Sequence, residues 1–252
     1  MTVAAIHQPN LLPWLGWFDK LDRADVFVLL DQVWLNRRST THRVGVLHHG
    51  RALQIAVPVQ HVGTQELPIC EARLDPGGRR LQSVAETLRH CYGRMPHWRD
   101  VGEPVLALLL DPPERLLDLN LALIRHLLTQ LGLDAGKLRL QSDLGGIGRK
   151  AELMASLTRA AGAGTYLSGG HPPEAGRSGT GADYNDPAVF SEYGVALVYQ
   201  SFRHPVYPQG GPFVPGLSAL DALVRLGGAA TLALLREARG NSRGPTPVEP
   251  PS

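Results

Sequence analysis

Cysteine is nearly absent from this chain: Cys70 and Cys91 are the only two in 252 residues. Two thiols so far apart, without C-x-x-C spacing, make neither a disulfide framework nor a zinc site. Long apolar runs are lacking as well. The longest, Val105 to Leu110, falls well short of the roughly 20 residues that cross a bilayer. No basic segment followed by an apolar one and a small-residue cleavage site opens the chain. Neither sign of charge predominates: the formal net charge is +2 and the basic residues are dispersed, so neither nucleic acid nor a membrane surface is expected as a partner. Three catalytic signatures are also missing, the G-x-x-x-x-G-K-[ST] phosphate loop, the G-x-S-x-G elbow and the H-E-x-x-H zinc helix. The ten histidines have no metal-ligand spacing apart from adjacent His48 and His49, which read as a solvated hairpin tip. The expectation is a reduced cytoplasmic protein with no metal and no other cofactor.

What is present is the material of a folded domain. With 43% hydrophobic and 19% charged residues, the chain has the balance of a globular protein rather than a disordered one. Val3 to His7 and Val26 to Leu30 are near-continuous apolar runs, as buried strands tend to be. Val44 to His48 and Leu53 to Val59 read as two more strands, joined near His49-Gly50 as a hairpin. Helical spacing is found from Pro13 through Leu21, over Arg79 to Tyr92 and over Glu114 to Leu131, with Gly132 as a C-terminal stop. Short strands at Leu138 to Gln141, Thr165 to Ser168 and Val195 to Tyr199 alternate with helices at Lys150 to Ala161, Leu217 to Leu226 and Ala229 to Arg239. This alternation predicts an α/β fold: a mixed or mostly parallel sheet with flanking helices and a helical insertion at about 77–135, in a single domain over 1–239. Residues 240–252, rich in Pro, Gly and Ser, are expected to be a disordered tail.

Polar side chains gather where the strand patterns end, which is where open α/β sheets build their sites. His7, Gln8 and Asn10 follow the first strand. An imidazole there can serve as a general acid or base near neutral pH, and the two amides can orient a ligand; the competing readings are a structural His, and Asn10 as a helix cap. Asp31 ends the second strand and is trailed by Arg38 and Arg43, whose guanidinium forks suit a carboxylate or phosphate. A third cluster, Tyr199 to Gln209, puts Gln200, His204, Tyr207 and Gln209 on a stretch stiffened by two prolines. Ser218 and Asp221 read as an N-cap and a first-turn carboxylate. Cys91 lies beside His90 in a helical pattern, and adjacent helical residues do not face one another, so it reads as a small buried hydrophobe.

These stretches together resemble a known family. I-H-Q-P-N-L-L-P-W-L-G-W-F-D-K-L, D-V-F-V-L-L-D, Y-L-S-G, Y-Q-S-F-R-H-P-V-Y-P-Q, F-V-P and L-S-A-L-D-A-L occur in the order and spread, from residue 5 to about 227, of the WbqC-like protein family. Matching positions include Trp14, Asp19, Lys20, Ser168, Gly169 and Tyr184, besides the strand-end residues above. The chain departs from the pattern at Arg37 and His42, and in a longer loop at 170–182. The resemblance implies a link to surface-glycan or natural-product biosynthesis.

The resulting expectation is a biosynthetic transferase that forms an amide on an amine of a sugar nucleotide or carrier-bound intermediate. His7, His204 and Asp31 are its expected catalytic residues. Gln8, Asn10, Trp14, Lys20, Arg38, Arg43, Ser168, Tyr207 and Gln209 are its expected substrate contacts. The alternatives are a non-catalytic binding or scaffold protein of the same pathway, and a small amide or ester hydrolase. In each case the partner is a small or carrier-bound molecule.

Overall fold

The computed structural model describes residues 1–60, 67–75, 78–169 and 184–240. The loop lengthened at 170–182 and the tail beyond Gly240 lie outside the described residues. A five-stranded sheet, all parallel, is built from β1 (Val3–His7), β2 (Val26–Leu29), β5 (Leu138–Leu140), β6 (Thr165–Ser168) and β7 (Ala196–Tyr199). Its order is β5-β2-β1-β6-β7. The fold is therefore α/β, and the sheet is parallel throughout rather than mixed. Apart from it, β3 (Arg43–His48) and β4 (Arg51–Ala56) pair antiparallel as a separate hairpin.

The inner strands of the parallel sheet are largely apolar on both sides because both sides are covered, whereas edge strand β5 exposes Arg139. Alternation sends Ala5, Phe27, Leu29 and Leu167 into the larger core cluster, beneath Trp17, Phe18 and Leu21 of α1 (Leu15–Arg23). Ile6, Val28, Tyr166, Leu197 and Tyr199 enter a second cluster on the opposite face. That face is covered by α6 (Ala151–Ala160) and α7 (Pro187–Glu192).

The helical segment that precedes β5 matches the sequence pattern in outline and departs from it in detail. Arg79–Tyr92 is α2, and α4 runs Leu116–Leu131, ending on Gly132 in the left-handed conformation (φ 68) that a non-glycine residue adopts only at a cost. Between them, residues without a clear period form a π-helical turn, Trp98–Gly102, that runs into α3 (Glu103–Leu110). The indole of Trp98 fills the space where a Cβ on Gly102 would stand. In the C-terminal part, α8 (Ala219–Leu226) begins at Ser218, whose hydroxyl accepts from Leu220 N, and α9 (Gly228–Gly240) closes the described chain. Among the described residues no helix is long and apolar enough to cross a membrane.

One local expectation needs correction. The first helix begins at Leu15 behind Trp14, not at Pro13, and Asn10 lies four residues too early to cap it. The Gly-rich turn before α6 offers no side-chain cap; instead Ile147 N donates to Ser156 Oγ at 3.0 Å, back onto the helix itself.

Candidate functional site

The order of the strands decides where a ligand has room. From β1 the chain crosses through α1 on one face to β2, whereas from β6 it crosses through α7 on the other face to β7. Adjacent β1 and β6 are therefore followed by helices on opposite faces of the sheet, and the carboxyl ends of such a pair are the topological switch point at which open α/β sheets place a ligand crevice. His7, Ser168 and Gly169 sit at its lip, with Asp31 two residues past the partner of His7 on β2.

The turn after β1 is held open by a set of specific bonds rather than by a helix cap. Asn120, in the apolar stripe of α4, is fully buried and donates through Nδ2 to Pro9 O (2.8 Å) and Thr41 O (2.7 Å). Gln8 Oε1 accepts from Ser39 Oγ (3.1 Å) and Thr41 Oγ1 (3.3 Å). Trp17 Nε1 donates to Gln8 O at 3.3 Å. The turn ends on Leu12, a buried non-glycine residue at φ 42. Strain of this kind persists only where the surroundings over-determine the backbone, and it gathers at ligand sites. Asn10 is buried beside these bonds, and its Oδ1 has no protein partner.

Lys20 is the most unusual group in the crevice. It projects from α1 to the end of β1, where Nζ donates to Ile6 O at 2.7 Å and lies 5.6 Å from the centre of the Tyr166 ring. Only 3% of it is exposed. No carboxylate pairs with it among the described residues, because neighbouring Asp19 is already committed to Arg23, Arg239 and Gln200. Burial without a counter-charge disfavours the ammonium form and lowers the pKa to about 7. On the far side, a Cβ on Gly169 would stand 3.7 Å from Lys20 Nζ and 3.7 Å from Gln200 Oε1. Glycine there keeps the approach to the amine clear of a side chain.

His7 is held neutral for the same reason. Desolvation first, and then the charge of Lys20, bring its pKa down to about 3 against a weaker opposing effect from Gln8 O. Its folded-state value lies below that of the unfolded chain, so between about pH 3 and 6.5 the unfolded state binds the extra proton, and stability falls as pH falls. His7→Gln is expected to flatten this acid limb. Denaturant midpoints of both proteins at pH 4 and pH 7 should show a smaller gap for the variant, and an equal gap would remove His7 as the cause.

The other predicted residues are placed as follows. Asp31 is buried and accepts from Ser142 N at 3.0 Å, fastening β2 to the short α5 (Gln141–Leu144) beside the crevice. Arg38 and Arg43 are exposed, make no ion pairs among the described residues, and flank the Ser39–Thr41 stretch that holds Gln8. Ser168 is buried at the end of β6. A second grouping forms on the other flank of α1. The half-exposed Trp14 stacks on His204 (centroids 6.2 Å apart) and meets Phe202 edge-on. Tyr207 and Gln209 turn inward, where the Tyr207 hydroxyl donates to Asp221 Oδ2 at 2.9 Å and Gln209 holds both ends of Val214. Among the described residues no bond or ring contact joins His204 to His7 or Asp31. The structure thus brings His7 and Lys20 together at the ends of β1 and β6, beside Ser168 and Gly169, with Gln8 and Asn10 in the turn that follows β1 and Asp31 adjoining. Trp14, His204, Tyr207 and Gln209 form a separate aromatic shelf.

Sequence reasoning overlooked Asn120 as part of the framework, and read Gln200 only as one of the polar residues of the third cluster. Asn120 sits in an otherwise apolar helical stripe, a polar break that marks a buried hydrogen-bonding role. Gln200 ties β7 to α1 through Gly16 O (2.8 Å) and Asp19 Oδ2 (2.6 Å). Neither cysteine reads as a nucleophile, since desolvation is the main cause raising both thiol pKa values.

A model of the WbqC-like protein family matches residues 8–232. Among curated proteins, the chain is similar to the Mycobacterium tuberculosis (strain ATCC 25618 / H37Rv) protein described as "Uncharacterized protein Rv1507c". The two are 28% identical over 234 residues, covering 91% of this chain and 96% of the relative. No solved structure matches the chain.

Proposed function

The chain belongs to the WbqC-like protein family, and from that membership and the β1–β6 crevice we propose that it is a cytoplasmic biosynthetic transferase. It joins an acyl group to an amine on a sugar nucleotide or carrier-bound intermediate in surface-glycan or natural-product biosynthesis. The observation that carries this reading is Lys20: a buried amine with no counter-charge among the described residues, pKa about 7, at the topological switch point. A general base works best when its pKa lies near the working pH. On that ground Lys20, rather than His7 with its pKa of about 3, is the proton acceptor.

In the proposed reaction the acceptor amine attacks the acyl carbon, forming the C–N bond as the bond to the donor's leaving group breaks. Lys20 Nζ takes the proton that the amine sheds and returns it to the departing group or to water. His7, neutral over the working range, acts as an uncharged hydrogen-bonding group beside it. Gln8 and Asn10 hold the acceptor, and Arg38 and Arg43 offer bidentate donors to a phosphate of the carrier or nucleotide.

The test is incubation of the full chain with acyl thioesters and either amino-sugar nucleotides or carrier-bound amines, followed by mass spectrometry. An acceptor heavier by the acyl group, lost in Lys20→Met, supports the proposal. Because only deprotonated Lys20 accepts a proton, kcat/KM is expected to rise with pH through about 7 and then level off. Retention of ligand without any mass change would make this a binding protein. Release of free acid without acylated acceptor would make it a hydrolase.

A further inference from the structure

Three histidines outside the crevice meet from two separate elements. β3 ends at His48, and a two-residue turn, His49-Gly50, leads into β4. Both turn residues have positive φ, 47 and 73, as in the tight hairpin turns that favour Asn, Asp or Gly at the first position. His49 occupies that position at some backbone cost, and its ring lies 4.2 Å from that of His48. His90 comes from the last turn of α2, with its ring 5.6 Å from His48 and 6.2 Å from His49. One ring nitrogen from each residue lies within 4.8 Å of the others.

The framework behind the three rings is fixed. Tyr92, two residues beyond His90, is fully buried, and its hydroxyl accepts from Leu47 N at 2.8 Å. Leu47 immediately precedes His48, so this buried bond sets the spacing of helix and hairpin next to the cluster. His49 and His90 are exposed and open to solvent.

We propose that His48, His49 and His90 form a surface site for a divalent transition-metal ion of the zinc class. An all-imidazole set suits zinc, copper and nickel rather than magnesium or calcium. A tetrahedral ion with Zn–N bonds of roughly 2.0–2.1 Å holds its ligand nitrogens about 3.4 Å apart. The ring nitrogens, now within 4.8 Å of one another, close on the ion as it binds. Three ligands leave a fourth position for water or an outside donor. The bound ion would tie the tip of the β3–β4 hairpin to the end of α2. The separation of His90 from His49 by 41 positions explains why no spacing motif announces the site.

The experiment uses the full chain without an affinity tag, stripped with chelator and titrated with ZnCl2 by calorimetry at neutral pH. One equivalent of zinc is expected to bind, and its affinity should fall about tenfold or more in His90→Ala and in His49→Ala. Zinc is also expected to raise the melting temperature of the parent chain but not of either variant. Cobalt(II) provides a second readout: the visible bands of a four-coordinate ion in the parent should be lost in His90→Ala. Failure to bind one equivalent, or binding of equal strength in the His49→Ala/His90→Ala double variant, would overturn the site. Both residues are exposed, so the variants are expected to fold, and circular dichroism checks that they do.

Discussion

Lys20→Met is expected to raise the stability of the protein at neutral and lower pH while abolishing turnover. The amine titrates near 7 in the folded chain and near 10.4 in an unfolded one. Between these values the unfolded state holds more protons, so stability climbs with pH across the window. Below about pH 7 the folded chain carries the full cost of a buried ammonium that no carboxylate pairs with among the described residues. Methionine has similar length and no charge, and it removes that cost. It also removes the bond to Ile6 O, and a lost bond of this kind costs about 1–3 kcal/mol. Each tenfold weakening of proton binding on folding corresponds to about 1.4 kcal/mol, so with the lost bond subtracted the net gain is about 2–4 kcal/mol at pH 6. It should shrink steadily from pH 7 toward pH 10. Chemical denaturation of the two proteins at pH 6, 8 and 10 measures it, and a constant difference across the series would contradict a lowered Lys20 pKa. The scarcity of lysine gives a direct check. With only Lys20, Lys137 and Lys150 to resolve, side-chain NMR of labelled lysine should show one resonance titrating near 7. A residue that makes the fold less stable than a simple substitute is the mark of a site kept for its chemistry.

The second large effect is destabilising. Asp221→Ala is expected to cost about 3–5 kcal/mol, the range for removing one member of a buried ion pair. Asp221 is fully buried and takes Tyr207 OH on one oxygen and Arg225 Nε, at 3.0 Å, on the other. Alanine would leave the mostly buried Arg225 guanidinium and the Tyr207 hydroxyl without their acceptor. A melting temperature lower by roughly 10 °C is expected for a domain of this size. Arg225→Met in the Asp221→Ala background should recover part of the loss, since it removes the stranded charge. A drop below about 1 kcal/mol would mean that the Tyr207–Gln209 stretch is held by its prolines and apolar packing instead. Because His204 shares that stretch and stacks on Trp14, the same variant should also loosen the aromatic shelf.

The two variants differ in how far their parent residues were legible. Ser218 and Asp221 read in the sequence as a cap and a first-turn carboxylate, and both occupy those positions. The role of Asp221 as a common acceptor was not legible, because Tyr207 lies 14 residues away, in a loop without period. Lys20 read as a substrate contact on an amphipathic helix. Nothing in its local sequence reveals that the helix is pressed against the end of β1 so closely that the amine loses its water. Asn120 was visible as part of a stripe, but its acceptors, Pro9 O and Thr41 O, are separated from it by 111 and 79 positions.

The sequence by itself determined the strands, most of the helices, the α/β class, the family and the strand ends at which polar residues gather. All of these follow from local periodicity and from short ordered motifs, which survive in one dimension. Only the tertiary structure decided the strand order, and with it the β1–β6 crevice. It alone separated His7 and Lys20 from the Trp14–His204 shelf and brought His90 to His48 and His49. The physical reason is that desolvation, charge pairing and ligand geometry depend on distances across the fold. Those distances are set by which faces pack together, and a pattern of residues along the chain does not contain them.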